Sequence, residues 1–288
     1  MENQHSNAVT VTEPHPLLSP RKIADRTTGE RHGPITRLMS PGDLGDVLKP
    51  FVFLDLFDIR KASFPNLGLH PHSGIATLTY LFEGDVRYED TSGATGLVKA
   101  GGVEWFKAGL GAWHGGGAGD AGRARGFQLW IALPPDQEGA PVESVYQSPE
   151  GIRRAGPARV LLGSFGGVSS SLKPPAPINY LAVQLKAGET WRYEPPAGHT
   201  IAFVALASGS LSTPDPVEAG ELAVFEPSND AIEFHAGEDS EFVIGSAAPH
   251  PHDLVLGPHS VHTSKEALTA SLRRIREIQR KLEAEGKL

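Results

Sequence analysis

Two histidines separated by one residue, His70-Pro71-His72, are the first place in this chain where side-chain type and spacing suggest chemistry. In extended backbone, residues i and i+2 project to one face about 6.5 to 7 Å apart, so both imidazoles can converge on a single ion. His114 follows about forty residues later, in GLGAWHGGG. A β-barrel that folds back on itself can bring it beside the pair as a third nitrogen. Three neutral imidazoles can hold a transition metal and leave positions open for a substrate. Glu104, on the run leading to His114, is either a substitute acid for such a site or an ordinary hydrogen-bonding strand residue. Trp105 and Trp113 flank the expected cavity, where they either stack on a flat aromatic ligand or pack as core.

Other constellations are weaker. His250-Pro251-His252, with His259 and His262, lies among Pro and Gly after the last apolar run and reads as a group of loop histidines. The C-terminal half otherwise offers only His199 and His235, with no second HxH in its apolar runs, so at most one metal site per chain is expected. The absence of Cys excludes thiolate metal sites, disulfides and Cys nucleophiles. SFGGVSSS (164–171) lacks the G-x-S-x-G pattern of a nucleophile elbow, and GLGAWHGGG lacks the Lys-Ser/Thr ending of a phosphate loop. No residue is assigned a catalytic role.

The elements that must position these residues are mostly strands. Gly 33 and Pro 24 in 288 residues favour many short strands joined by tight turns over long helices. FVFLDLF (51–57) reads as a strand covered on both faces. TLTYLFEGDVRYED (77–90) reads as strand, Gly84-Asp85 turn, strand, and GLVKAGGVEWFKAG (96–109) as strand, Gly-rich turn, strand. FQLWIAL (127–133) is a further strand, and a Pro- and Gly-punctuated stretch then marks a boundary near 135–155. Beyond it, TIAFVALASGSL (200–211) is a weak copy of TLTYLFEGDV (77–86), which suggests two similar β halves. At the end, Thr263 to Glu266 has the form of a capping box. Leu268, Leu272, Ile275, Ile278 and Leu282 recur at helical spacing, predicting one amphipathic helix over about 264–284.

A formal charge of −8, with no basic and aromatic groove, argues against direct nucleic-acid binding. The most apolar runs fall far short of the roughly 20 residues of a membrane span, and no secretory leader pattern opens the sequence. The expectation is a soluble, cytoplasmic chain.

The run LGLHPHSGIATLTYLFEGDVRYEDTSGATGLVKAGGVEWFKAGLGAWH (67–114) resembles the pirin family of bicupins, as do FVFLDLF before it and LLGSFGGVSSSL and GPHSVHTSKEAL later. This resemblance runs from about residue 20 to the end. It implies an all-β fold of two tandem cupin (double-stranded β-helix, jelly-roll) barrels with a C-terminal helix. The division is an N-terminal cupin at 21–140, a C-terminal cupin at 141–262 and the helix at 263–288, preceded at 1–20 by a polar, Pro-containing run without period that reads as a flexible arm. It also implies one divalent transition metal, iron first, with Zn, Ni, Cu or Mn as alternatives, held by His70, His72 and His114.

The family's fourth ligand, a Glu two residues past the third His, is Gly116 here. A further Glu common four residues past the second His is Ala76. Whether the site holds metal without them stays open at this point, and a metal-free site is the alternative. The activity implied is oxygen-dependent cleavage of a flavonol-like small aromatic substrate, as in quercetin 2,3-dioxygenase. The other implied role is a non-enzymatic, metal-sensing regulatory module with a protein partner.

Overall fold

The computed structural model describes residues 20–60 and 67–288. The arm expected at 1–20 lies, but for Pro20, outside the described residues. The expected all-β architecture, two tandem barrels followed by a C-terminal helix, is the one the chain adopts.

The first half is built on a ten-stranded sheet. Its central path runs Glu143–Gln147, Val103–Lys107, Ile75–Asp90, Arg123–Ala132, Phe51–Arg60, Ile35–Met39 and Glu30–His32. Phe51–Arg60 is flanked on both sides and buried on both faces over its first five residues, as its unbroken apolar run predicts. The second half pairs a seven-stranded sheet with a four-stranded one, and a core containing Trp191, Tyr193, Phe234 and Phe242 fills its interior.

The two halves share a further core. Phe51, Leu78, Tyr80 and Phe127 of the first sheet pack with Tyr180, Phe203 and Val243 of the second, and Phe51 meets Phe203 edge to face at 5.2 Å. Sheet membership crosses the expected division at two places. Ile23–Thr27 pairs with Leu222–Phe225 in the second half, while Glu143–Gln147 pairs with Val103–Lys107 in the first. Buried Arg21 anchors the former crossing by donating to the carbonyls of Glu226 and Thr200. A composition shift marks where punctuation is dense, but backbone pairing decides to which sheet a strand belongs.

The Gly84-Asp85 turn expected from sequence does not form. Ile75–Asp90 is one sixteen-residue strand that bends at Gly84. Gly84 has φ +78°, and a Cβ there would lie 1.6 Å from the Arg123 carbonyl oxygen, so the close approach of the neighbouring strand admits only glycine. A register shift in that neighbour, between Arg125 and Gly126, accompanies the bend. Before it, the long strand pairs with Val103–Lys107; after it, with Thr95–Lys99 and Ala112–Ala118, which turns the corner of the barrel.

The C-terminal helix spans Lys265–Ala284 and is capped by Ser264, one residue later than the capping-box reading places it. The Ser264 hydroxyl accepts from the amide of Ala267. Its apolar stripe, through Ile275 and Leu282, packs on Trp113. Among the described residues, no helix is long and apolar enough to cross a membrane.

Candidate metal centre

The strand Leu67–His72 pairs antiparallel with Ala112–Ala118, placing His70 opposite His114 and His72 opposite Ala112. Among the described residues Leu67–His72 has no other strand partner within the sheets, so Pro71 removes no ladder donor from an interior position. Alternation turns His70 and His72 to one face, and the register adds His114. The three ring centroids stand 4.7 to 5.0 Å apart. One nitrogen of each ring lies within 4.8 Å of the other two, in the only such group of three or more metal-ligating side chains among the described residues.

The other ring nitrogens fix the tautomers. The Nδ1–H of His70 donates to the Gly68 carbonyl at 3.0 Å, and that of His72 to the His259 carbonyl at 2.9 Å. A carbonyl can only accept, so the proton sits on Nδ1 and the Nε2 lone pair is free. The Nε2 atoms of His72 and His114 are buried without a hydrogen-bond partner. A buried polar atom left unpaired costs about 1 to 3 kcal/mol, and a metal ion is a group that would satisfy both. Burial pushes His70 down to about 4, with the neighbouring His114 adding to the shift, and holds His72 well below the ordinary imidazole value for the same reason. Near neutral pH both are therefore unprotonated, the form that ligates. The donor set fits a borderline transition metal.

These rings form one wall of a cavity of ≈ 500 Å³, a size that suits a small molecule. Phe53 and Trp130, stacked at 4.0 Å and 8°, supply an apolar wall, and the Trp130 ring also meets His72 at 4.7 Å. Opposite in character is Arg37, which is ion-paired with Asp55 and sits 3.9 Å above the Phe53 ring. Burial raises the Asp55 pKa, and the Arg37 contact opposes that rise.

Several sequence expectations change here. Trp105 is buried in the shared core and Trp113 under the C-terminal helix, donating to the Ile275 carbonyl at 3.3 Å; neither lines the cavity. Trp130 does, and its place in the apolar run FQLWIAL concealed it. Glu104 stands outside the three-imidazole group and faces the far nitrogen of His114, Nδ1, at 3.7 Å. Gly116 shares the cavity-facing side of its strand with His114, as alternation requires, and it does not adopt a positive φ.

The histidines read as a loop group are partly built into the site. His259 lends its carbonyl to His72 and its ring to the cavity rim, 6.1 Å from His72 and 6.4 Å from His70. His259 is the one non-glycine residue with positive φ (54°) among the described residues. His262 is buried against Ser73, its Nε2 2.9 Å from the hydroxyl, and Nδ1 faces Glu138 at 3.4 Å.

This Ser-His-Glu series has the order of a nucleophile triad but not its proton arrangement. Ser73 is fully buried and donates its hydroxyl proton to Ser260, which in turn donates to the Pro258 carbonyl, so Ser73 receives a proton from His262. It is a clasp holding the hairpin Val255–Gly257 and Ser260–His262 against the strand that carries His70 and His72. Only the proximity in sequence of Ser73 to His72 hinted at it.

The chain is similar to known proteins in sequence and in fold. The pirin family model matches residues 35–131. A Pseudomonas aeruginosa protein bearing a provisional quercetin 2,3-dioxygenase name is 30% identical over 81% of this chain and 87% of its own length. Human pirin is 30% identical over 78% and 81% respectively. Among solved structures, quercetin 2,3-dioxygenase from Acinetobacter baumannii superposes with a TM-score of 0.83 at 22% identity, covering 90% of this chain and 98% of that one. A bacterial pirin from Escherichia coli, solved in complex with nickel(II), gives 0.63 at 21% identity over 80% and 98%. At those identities the structures speak for the fold, which is that of the cupins.

Proposed function

Because this chain belongs to the pirin family, we propose that it is a metal-dependent oxygenase that acts on a small, flat aromatic substrate at His70, His72 and His114. The observation that carries this reading is the pair of buried, unpartnered Nε2 atoms on His72 and His114, grouped with His70 at the wall of a small-molecule cavity. When bound, the ion would supply Lewis-acid attraction for a deprotonated ring hydroxyl and a meeting place for dioxygen. Iron is the first candidate, and the nickel held by the bacterial pirin makes nickel the second.

The chain's own residues do the rest. Gly68 and His259 carbonyls hold two imidazoles in the ligating tautomer, and Phe106, stacked on His114 at 4.4 Å, fixes the plane of the third. The Phe53–Trp130 wall offers a flat ring a stacking surface and excludes water from one side of it. Thr79 and Gln128 add neutral hydrogen-bonding groups to the lining, and the Arg37–Asp55 pair places a compensated charge there.

A second reading, a metal-sensing module without turnover, is favoured by Gly116 and Ala76, which leave the site without the acids that the resemblance leads one to expect. Metal-loaded protein assayed under air with quercetin separates the two. Consumption above the free-metal background, lost in His72→Ala, is the expected result. Stoichiometric metal without turnover would move the function to the sensing role.

A further inference from the structure

Glu104 is 7% exposed, and among the described residues no lysine or arginine pairs with it. Among the described residues its one contact of ion-pair length is to Nδ1 of His114, at 3.7 Å. It shares a strand face with Phe106, two residues on, so one strand grips the His114 ring twice: Phe106 lies parallel to it, and Glu104 sits at its outer nitrogen. His70 and His72 present their outer nitrogens to neutral carbonyls instead.

Resting on the metal-centre reading above, we propose that Glu104 supplies the negative charge of the centre, acting on the ion through His114 as a positioning residue and not as a ligand. Three neutral imidazoles leave a divalent ion uncompensated in a buried site, where charge is costly. A carboxylate beside one ligand offsets that charge and, by polarising the ring through its outer nitrogen, makes Nε2 a stronger donor. At 3.7 Å the contact is electrostatic and longer than a hydrogen bond, so the sign of the charge matters more than its exact placement. Gly116 offers no side chain to do this, whereas Glu104, which also lines the cavity, does it from beside Nδ1 of His114.

The test uses the full chain with cobalt(II) as the probe, affinity being read by competition with a chelator and the ligand set by the visible d–d spectrum. Glu104→Gln preserves shape and removes charge. It is expected to weaken cobalt binding about 10 to 100-fold with band positions unchanged. Glu104→Asp, which keeps the charge on a shorter stem, is expected to retain more affinity than Gln, and an unchanged melting temperature for metal-free Glu104→Gln shows that folding is not the cause. Equal affinity in Glu104→Gln overturns the inference, and so does a spectrum showing a lost oxygen ligand, which would make Glu104 a direct ligand. The His70/His72/His114 triple alanine variant separates the two failures. If it still binds cobalt, the centre itself is misplaced; if it loses cobalt while Glu104→Gln does not, only the role of Glu104 falls.

Discussion

The least expected residue in the site is Gly116, and the structure makes a definite prediction for it. Gly116 faces the cavity on the same strand side as His114 and adopts no positive φ, so a side chain there meets no left-handed backbone penalty. A Cβ would, however, stand 3.0 Å from the Arg87 carbonyl oxygen, close enough that this strand pair must give slightly. Gly116→Ala carries that cost without a carboxylate, and Gly116→Glu carries both. We expect Glu to bind iron(II) at least about 10-fold more tightly than Ala in chelator competition, since a direct anionic ligand should matter no less than a change outside the ligand set. Equal affinities would show that position 116 does not reach the ion. At the same scale, His72→Ala is expected to abolish metal binding, measured by elemental analysis of untagged protein. Metal retained there would point to His250 and His252, whose rings lie 5.3 Å apart.

At the scale of elements, the C-terminal hairpin is part of the site it closes over. Gly74, next to the Ser73 of the clasp, has φ +69°, and a Cβ there would come within 2.0 Å of the Val261 carbonyl oxygen; the hairpin can approach this closely only over glycine. His262→Ala removes one of the two hydrogen-bond partners of Ser73, which keeps Ser260, and leaves Glu138 without its imidazole. The expected loss is about 0.5 to 1.5 kcal/mol for the hydrogen bond itself, read as a lower midpoint in urea. Metal affinity should fall as well, because the His259 carbonyl that fixes His72 rides on the same hairpin. His235→Ala, in an exposed position of the second half, should change neither. A stability loss with metal affinity intact would show that the hairpin braces the fold but does not orient His72.

For the whole molecule, buried histidines make acid the sensitive direction. Burial lowers His199, with its Ser246 contact opposing, and lowers His250, with His252 and Lys49 adding; His70 is pushed down to about 4. Each folded value lies below the unfolded value of about 6.5, so the unfolded chain binds more protons in the interval between. Stability from these groups is therefore complete above pH of about 6.5 and is lost as pH falls through the folded values. Metal-free protein should show a melting temperature that drops from pH of about 7.5 to about 5, and His199→Gln should flatten that slope. Identical slopes in the two proteins would remove His199 from the linkage.

The residue spacing by itself determined the chemistry available. Alternation in extended chain put His70 and His72 on one face, and the absence of Cys left imidazole and oxygen as the only ligand types. Turn density and apolar runs likewise determined the all-β architecture, and helical spacing the final helix. What the tertiary structure alone decided depends on pairing between segments distant in sequence. The register that sets His114 opposite His70, the passage of Ile23–Thr27 into the second sheet and the return of His259 and His262 to the strand Leu67–His72 are all of this kind. So is the exchange of Trp105 and Trp113 for Trp130 at the cavity, since a tryptophan in an apolar strand has the same local pattern whether it faces a core or a ligand. Local periodicity reports which faces a segment owns, while hydrogen-bond register and close packing choose what each face meets.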